Sequence, residues 1–516
     1  MHASQQPRAS WHLDDVRERE GDASRRAFRY TIVARTKRSW ARMLTGNRLA
    51  RPIHAAPADQ LTLDPRPSSL TPTPRSMERI IDLEARESNW EIAPGRTLPG
   101  WTYNDQVPGP TIEGNVGDTL VVRLTNSLSE PTTIHWHGLR VPSSMDGTDD
   151  VQKPVEPGET FEYRFVLPDP GTFWYHPHSN ETVQLERGLY GPLVVRGPNE
   201  PSVDRERVLV FDDVMLDRKT GGFAKFGGFS QKHSGREGDT RLLNGRVEPE
   251  ILVAAGQVER WRVVNASSAR YVLLSLGGKP FRILGTDGGF IERPVAVSEA
   301  LLVPGDRLDL AVGPFEEGET LAIASLAYGR LHGKGKTEPF GTIRVGPRAP
   351  SQASIPERLR SIEPLVRGDA TPNREVHLGA RMSLKRGLDW VVDGAMHHAA
   401  PPVTVGELQV WDVVNDTFID HPFHLHGFFF QVLEAKGAPP PFLSWEDTIN
   451  IPSRGRVRIA WMPDERPGRW MYHCHILEHH EAGMMAHFQV LRPGEQAEAG
   501  AAHAHAHVEH GHHHHH

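Results

Sequence analysis

Three segments of this chain repeat one pattern, and that repetition limits its architecture more than any other feature. Gly117-Asp-Thr-Leu-Val-Val-Arg-Leu-Thr-Asn126, Gly256-Gln-Val-Glu-Arg-Trp-Arg-Val-Val-Asn265 and Gly406-Glu-Leu-Gln-Val-Trp-Asp-Val-Val-Asn415 each run from a glycine through alternating apolar residues to an asparagine nine places on. Period-two alternation predicts a strand with one buried face in each copy. Asn104, Asn244 and Asp393 stand 13, 12 and 13 residues before those glycines, and turn signals such as Pro157-Gly158 and Pro304-Gly305 follow. The copies lie 139 and then 150 residues apart, which suits a β-sandwich domain and is far too long for a solenoid unit. A chain of 516 residues is also too long for one core, and its 48 glycines and 42 prolines favour short strands joined by turns. The expected division is a basic extension and linker over 1–76, sandwiches over 77–198, 199–346 and 371–493, a linker over 347–370, and a His-rich tail or tag over 494–516.

A second repeat relates only the outer copies. Pro170-Gly-Thr-Phe-Trp-Tyr-His-Pro-His178 aligns with Pro467-Gly-Arg-Trp-Met-Tyr-His-Cys-His475, and His135-Trp-His-Gly138 with His424-Leu-His-Gly427. Each outer domain therefore offers two pairs of histidines at i and i+2, which share a face on a strand. The middle domain keeps the framework without the pairs. Eight converging neutral imidazoles would suit a cluster of about three coppers with positions left open for a small molecule. Cys474, the single cysteine, sits between His473 and His475 and has the opposite parity, so one segment touches two metal sites. A thiolate with two imidazoles and a weak axial methionine serves both Cu(I) and Cu(II), and His421, His479 and either Met484 or Met485 are placed to complete such a set. Zinc fits less well, because one thiolate among so many histidines does not match the usual closed four-ligand spacings.

With these four motifs in order, the chain resembles the multicopper oxidases of the laccase type, in particular the bacterial three-domain members, over roughly residues 80 to 493. The resemblance implies an all-β fold of three consecutive cupredoxin-like β-sandwiches. It implies four copper ions: a type 1 copper on His421, Cys474, His479 and Met484, a type 2 copper on His135 and His424, and a type 3 pair on His137, His176, His178, His426, His473 and His475. It also implies one-electron oxidation of phenolic or aromatic amine donors, coupled to reduction of O2 to water. The same ligand set would serve a cuprous oxidase in copper tolerance. A copper-storing protein without turnover is a third reading, against which the complete ligand set argues.

Reducing O2 in a buried site takes protons and hence a carboxyl relay. Asp146, nine residues after His137, matches the family's acidic position near the three-copper site. Bacterial relatives tend to carry a glutamate directly after the type 1 histidine, where this chain has His480 and then Glu481. Either residue could serve. The axial methionine implies a moderate reduction potential, suited to easily oxidised donors such as methoxyphenols, aminophenols or Cu(I). Cuprous oxidases of this family often carry a methionine-rich insert in the third domain, whereas Gly346 to Asp420 holds only Met382 and Met396.

Elsewhere the sequence sets bounds. A net charge of −7 argues against a general nucleic-acid binder. No run approaches the length of an apolar membrane span. Residues 1–56 carry 12 Arg/Lys against 5 Asp/Glu, and Ser24-Arg-Arg-Ala-Phe28 resembles a degenerate twin-arginine signal, which implies a periplasmic or secreted protein; a monomer is expected. His233, His332, His377, His397 and His398 show no ligand spacing and are expected in ordinary roles, and Lys219 to Asp239 reads as a surface loop.

Overall fold

A computed structural model describes residues 76–330, 335–383 and 387–497. The arginine pair near residue 25, His332 and most of the tail lie outside the described residues. The rest is built of strands, with three short helices, α1 (Glu181–Glu186), α2 (Phe229–Ser234) and α3 (Leu477–Glu481), and one 3-10 turn. No helix among the described residues is long and apolar enough to cross a membrane.

The strands form six sheets, two in each third of the chain. The first third has a sheet ordered 96–103, 78–93, 119–126, 160–166 and a second ordered 112–115, 191–196, 171–176, 135–137. Leu83, Leu120 and Tyr163 of one meet Ile112, Trp136 and Phe173 of the other in one core. The middle and last thirds repeat this with sheets of six and five strands and of five and six. Each repeated strand lies between the same two neighbours, a parallel one from upstream (78–85, 205–211, 374–378) and an antiparallel one from downstream (160–166, 307–312, 456–461).

The repeated polar residues have one structural job each. Asn104, Asn244 and Asp393 take φ of +52, +50 and +48, and their side-chain oxygens accept the N–H groups of Glu84, Val210 and His377. Asn126, Asn265 and Asn415 are fully buried, and each Nδ2 donates to two backbone carbonyls while Oδ1 accepts the N–H two residues on. A buried amide so satisfied pins the strand end to the loop that follows it. Asn265→Ala strands two carbonyls and one N–H, and is expected to lower the free energy of unfolding by about 3 kcal/mol. A denaturant midpoint equal to that of the unsubstituted protein would contradict this.

The expectation of one buried face per repeated strand holds only in part. Glu259–Asn265 is buried throughout, because Arg260 and Arg262 on its second face meet Asp309 from the neighbouring strand and Glu200 from the start of the middle third. The strands that carry the histidine pairs are likewise buried on both sides, as in Gly171–His176 and His421–Leu425. One side faces a sandwich core and the other faces the seam between the first and last thirds.

Candidate metal centres

Strand His421–Leu425, the end of strand Gly468–Cys474 and helix α3 bring His421, Cys474 and His479 together. Their donor atoms lie within 4.8 Å of one another. Cys474 Sγ is 3.4 Å from His421 Nδ1 and 3.7 Å from His479 Nδ1, and the two Nδ1 atoms are 3.2 Å apart. The outer nitrogens fix the tautomers. His479 Nε2–H donates to the His233 carbonyl at 3.2 Å. Thr417 gives its hydroxyl proton to Asn415 Oδ1 and so accepts from His421 Nε2–H at 2.8 Å. Both Nδ1 lone pairs therefore face each other and the sulfur in a dry interior, an arrangement that a cation resolves. Burial, with Arg330 adding to it, pushes His421 down to about 3, and burial holds His479 well below the usual imidazole range. Burial also pushes the Cys474 thiol up to about 12, so a thiolate there needs a bound cation. Met484 is fully buried in the same apolar cluster as Cys474, and its carbonyl accepts the Cys474 N–H at 3.1 Å. The Met485 sulfur is engaged elsewhere, 3.0 Å from His397 Nδ1.

The eight paired histidines meet across the seam. His135 stacks on His426 at 3.9 Å and His137 on His424 at 3.8 Å, while His176 faces His475 at 5.7 Å and His178 faces His473 at 5.5 Å. Backbone carbonyls orient four of the rings: Nδ1–H of His135, His176, His424 and His473 donates to Asp146, Pro177, Asp447 and Cys474 at 2.8 to 3.0 Å. Each of these rings thus turns an Nε2 lone pair inward. Buried Nε2 atoms of His135, His176, His178 and His424, Nδ1 of His137 and both nitrogens of His475 have no hydrogen-bond partner. Buried polar atoms are almost always paired, and a group of orphaned acceptors facing one another fits bound metal ions. Burial also lowers the pKa of His137, His176, His178, His424, His426, His473 and His475, which keeps them neutral and able to coordinate.

Of the acids expected at this cluster, the structure places Asp146 there and Glu481 away from it. Asp146 is buried there, with its Oδ2 accepting from His426 Nδ1–H at 2.8 Å and its Oδ1 3.5 Å from His135 Nδ1. Glu481 does not reach in: it is exposed, and its Oε1 accepts the Thr182 N–H at 2.9 Å. His480 is the residue turned to the cluster, with its ring 4.2 Å from that of His473. Its Nδ1 meets Glu181 Oε2 at 2.8 Å, and Glu181 Oε1 is 3.0 Å from His176 Nδ1. Burial alone would raise Glu181, but His178, His176 and His480 outweigh it and hold the carboxyl well below its usual range. The sequence pointed to neither Glu181 nor Asp447. The only local hint for Glu181 was an acid three residues after His178, at a helix start.

The middle third lacks histidine pairs but still forms a wall of the site. A Cβ at Gly305 would lie 3.0 Å from His137 Cε1 and 3.1 Å from His475 Cδ2, so that glycine permits the close approach. Buried Arg307 reaches Asp447 Oδ1 at 2.7 Å, and Asp447 in turn lies 3.2 Å from His137 Nε2. Three thirds of the chain thus meet behind one imidazole. The stretch expected as a plain surface loop, 219–239, also contributes, since helix α2 supplies the His233 carbonyl to His479 and the Lys232 carbonyl to the Trp390 indole at 2.6 Å.

Comparison with known proteins agrees with this geometry. Family models described as multicopper oxidase match residues 84–200 and 376–494. The multicopper oxidase MmcO of Mycobacterium tuberculosis is 31% identical over 427 residues, which cover 74% of this chain and 81% of that protein. Laccase-1 of Cryptococcus neoformans is 26% identical, covering 86% of this chain and 85% of its own. The solved structure of a Campylobacter jejuni multicopper oxidase, described as a metallo-oxidase, superposes with a TM-score of 0.72 at 29% identity, covering 82% of this chain and 93% of that one.

Proposed function

Because the chain belongs to the multicopper oxidase family and is an oxidoreductase that uses O2, we propose that its donors are small phenols and aromatic amines, oxidised one electron at a time. The observation that carries this reading is a cleft of about 490 Å³ beside the Cys474 site. Trp390 forms one wall and packs against the His479 ring at 3.9 Å, so a single indole separates the cleft from that histidine. Phe418, 60% exposed, and Arg454, whose guanidinium lies 3.9 Å over its ring, offer a flat cationic and aromatic surface. Leu388 and Ile419 add apolar lining, and Asp416 can accept the proton a phenol loses on oxidation. This volume and mixture suit a one- or two-ring donor. Phe418→Ala is expected to raise KM for a methoxyphenol about 2- to 10-fold in O2-uptake assays, with kcat little changed. An unchanged KM would place the donor elsewhere.

In this reading His421, Cys474, His479 and Met484 would hold a type 1 copper, His135 and His424 a type 2 copper, and His137, His176, His178, His426, His473 and His475 a type 3 pair. When bound, four such ions supply one-electron transfer at the thiolate and four-electron reduction of O2 at the histidine cluster. The chain links the two sites by itself: Cys474 is bonded to His473 and His475, and His473 Nδ1–H donates to the Cys474 carbonyl at 3.0 Å. Three cupredoxin-like sandwiches keep that strand end dry and fixed.

Protons would reach the cluster from two sides, at Asp146 Oδ2 against His426 and at Glu181 Oε2 against His480. His480 stands where relatives tend to carry the carboxylate, and Glu181 restores one from the opposite side of the seam. Asp146→Asn and Glu181→Gln are each expected to slow O2 turnover about 10²-fold while leaving copper content and the colour of the thiolate site intact. Turnover at the unsubstituted level would remove that residue from the relay. We also infer export from a bacterial cytoplasm, on the strength of the arginine pair at 25–26; an intact chain confined to the cytosolic fraction of its source cell would contradict it.

A further inference from the structure

One ring of the histidine cluster is turned the other way from its neighbours, and a buried ion pair accounts for it. His135, His176, His424 and His473 give Nδ1–H to backbone carbonyls and turn Nε2 inward. His137 instead has Nε2 directed outward, 3.2 Å from Asp447 Oδ1 and 3.3 Å from Thr448 Oγ1, and its orphaned atom is Nδ1. Arg307 grips Asp447 with both arms of its fork, Nη1–H donating to Oδ1 at 2.7 Å and Nη2–H to Oδ2. The Thr448 hydroxyl gives its proton to Asp447 Oδ1 at 2.9 Å. Both neighbours of His137 Nε2 can therefore only accept, so that nitrogen carries the proton and Nδ1 keeps the lone pair.

Arg307 reaches all three thirds of the chain. Besides the two N–H groups on Asp447, the other three donate to the carbonyls of Thr172 at 3.1 Å, Gly305 at 3.1 Å and Asp287 at 3.3 Å, so all five are used. Asp287 closes the junction: its Oδ1 accepts the Arg307 backbone N–H at 2.9 Å, and its Oδ2 accepts those of Asp447 at 3.2 Å and Thr448 at 3.0 Å. An added Cβ at Gly138, the residue after His137, would overlap Arg307 Nη2 and lie 2.8 Å from Asp447 Oδ2. The backbone beside that histidine is thus shaped around the pair. Arg307 and Asp447 are fully buried, and a buried ion pair adds little stability over apolar residues of the same volume. What apolar residues cannot supply is a fixed acceptor for one imidazole proton.

We propose that Arg307 is a positioning residue for the O2 site: through Asp447 it locks His137 in the tautomer that turns Nδ1 into the histidine cluster. The middle third, which has no histidine pair of its own, thereby becomes part of that site. Without the pair the His137 ring can turn, or its proton can move to Nδ1, and either change withdraws one donor from the cluster. A lysine offers a point charge and no fork, so it could not hold Asp447 in the same way. None of the groups that Arg307 hydrogen-bonds belongs to the Cys474 site, so oxidation of the donor there is independent of it. This proposal rests on the oxidase reading above and adds a role for the middle third to it.

The test compares Arg307→Met with the double substitution Arg307→Met/Asp447→Leu in copper-loaded protein. The single variant strands a buried carboxylate, which puts its folding at risk; the double variant removes both charges, a change that buried ion pairs tolerate. The thiolate colour is bleached with a methoxyphenol in the absence of O2, and its return is timed once O2 is admitted. The double variant is expected to bleach at the unsubstituted rate and to recover about 10- to 100-fold more slowly, the usual loss when an outer partner of a metal ligand is removed. A competing chelator should also strip copper from its histidine cluster more easily, with the thiolate colour retained. Recovery at the unsubstituted rate would overturn the proposal and leave the pair a structural bridge only. Equal slowing of bleaching and recovery would also overturn it, as a general loosening of the fold. Unsubstituted protein that neither bleaches nor recovers would instead overturn the oxidase reading; the chelator titration, which needs no turnover, then decides the role of Arg307, and equal copper retention in both proteins would overturn that too.

Discussion

Replacing Cys474 with serine is expected to bleach the protein and cut O2 consumption by more than about 10³-fold with every donor, because groups that act as a unit fail together. The sulfur lies between two imidazole lone pairs in a space with no solvent exposure. A serine there keeps the shape and removes the soft, polarisable ligand that lets one site serve both oxidation states. His473 and His475 stay in place, so the histidine cluster should retain its ions, and copper content should fall by one per chain. Metal analysis, visible absorption and O2 uptake on one preparation check all three. A colourless variant that still turns over would break the assignment of Cys474 as the point where electrons enter.

Removal of copper is expected to make the fold acid-sensitive. His421 has an ordinary value of 6.5 when unfolded and about 3 when buried, so between those pH values only the unfolded chain holds its proton. Stability then falls as pH falls below about 6.5, by about 1.4 kcal/mol per pH unit for each such histidine. Burial moves His137, His178, His426, His473, His475 and His479 in the same direction, which deepens the loss in that pH range. Copper held by these residues would keep the imidazoles neutral and join the two faces of the seam, delaying the loss until acid displaces the ions. Denaturant midpoints for copper-free and copper-loaded protein at pH 7.5 and 5.5 check this. The copper-free midpoint should drop steeply and the loaded one little. A copper-free midpoint that stays level would mean the histidines are not held neutral by the fold.

The residues that the fold brings together at the two candidate centres were legible because most of them sit in short motifs whose strand parity sorts them onto two sites. Asn126, Asn265 and Asn415 were visible as a repeat, and the structure supplies their reason, a buried amide closing each strand end. Glu481 and His480 could not be ranked from spacing alone. On α3 consecutive residues are turned by about 100°, so His479 faces Cys474, His480 faces the cluster, and Glu481 turns toward solvent and α1. Glu181, Gly305, Arg307 and Asp447 stayed hidden because their roles exist only after distant segments pack. Arg307 and Asp447 are 140 residues apart, and no local pattern marks one as the partner of the other.

The most direct test of the account is the ratio of donor electrons to O2 for the copper-loaded protein, measured by O2 uptake with a methoxyphenol, with peroxide assayed in the same vessel. Four donor electrons per O2 with no peroxide is the result expected of a thiolate site feeding a histidine cluster. Two electrons per O2 with peroxide accumulating, or no uptake by protein with its copper in place, would contradict it.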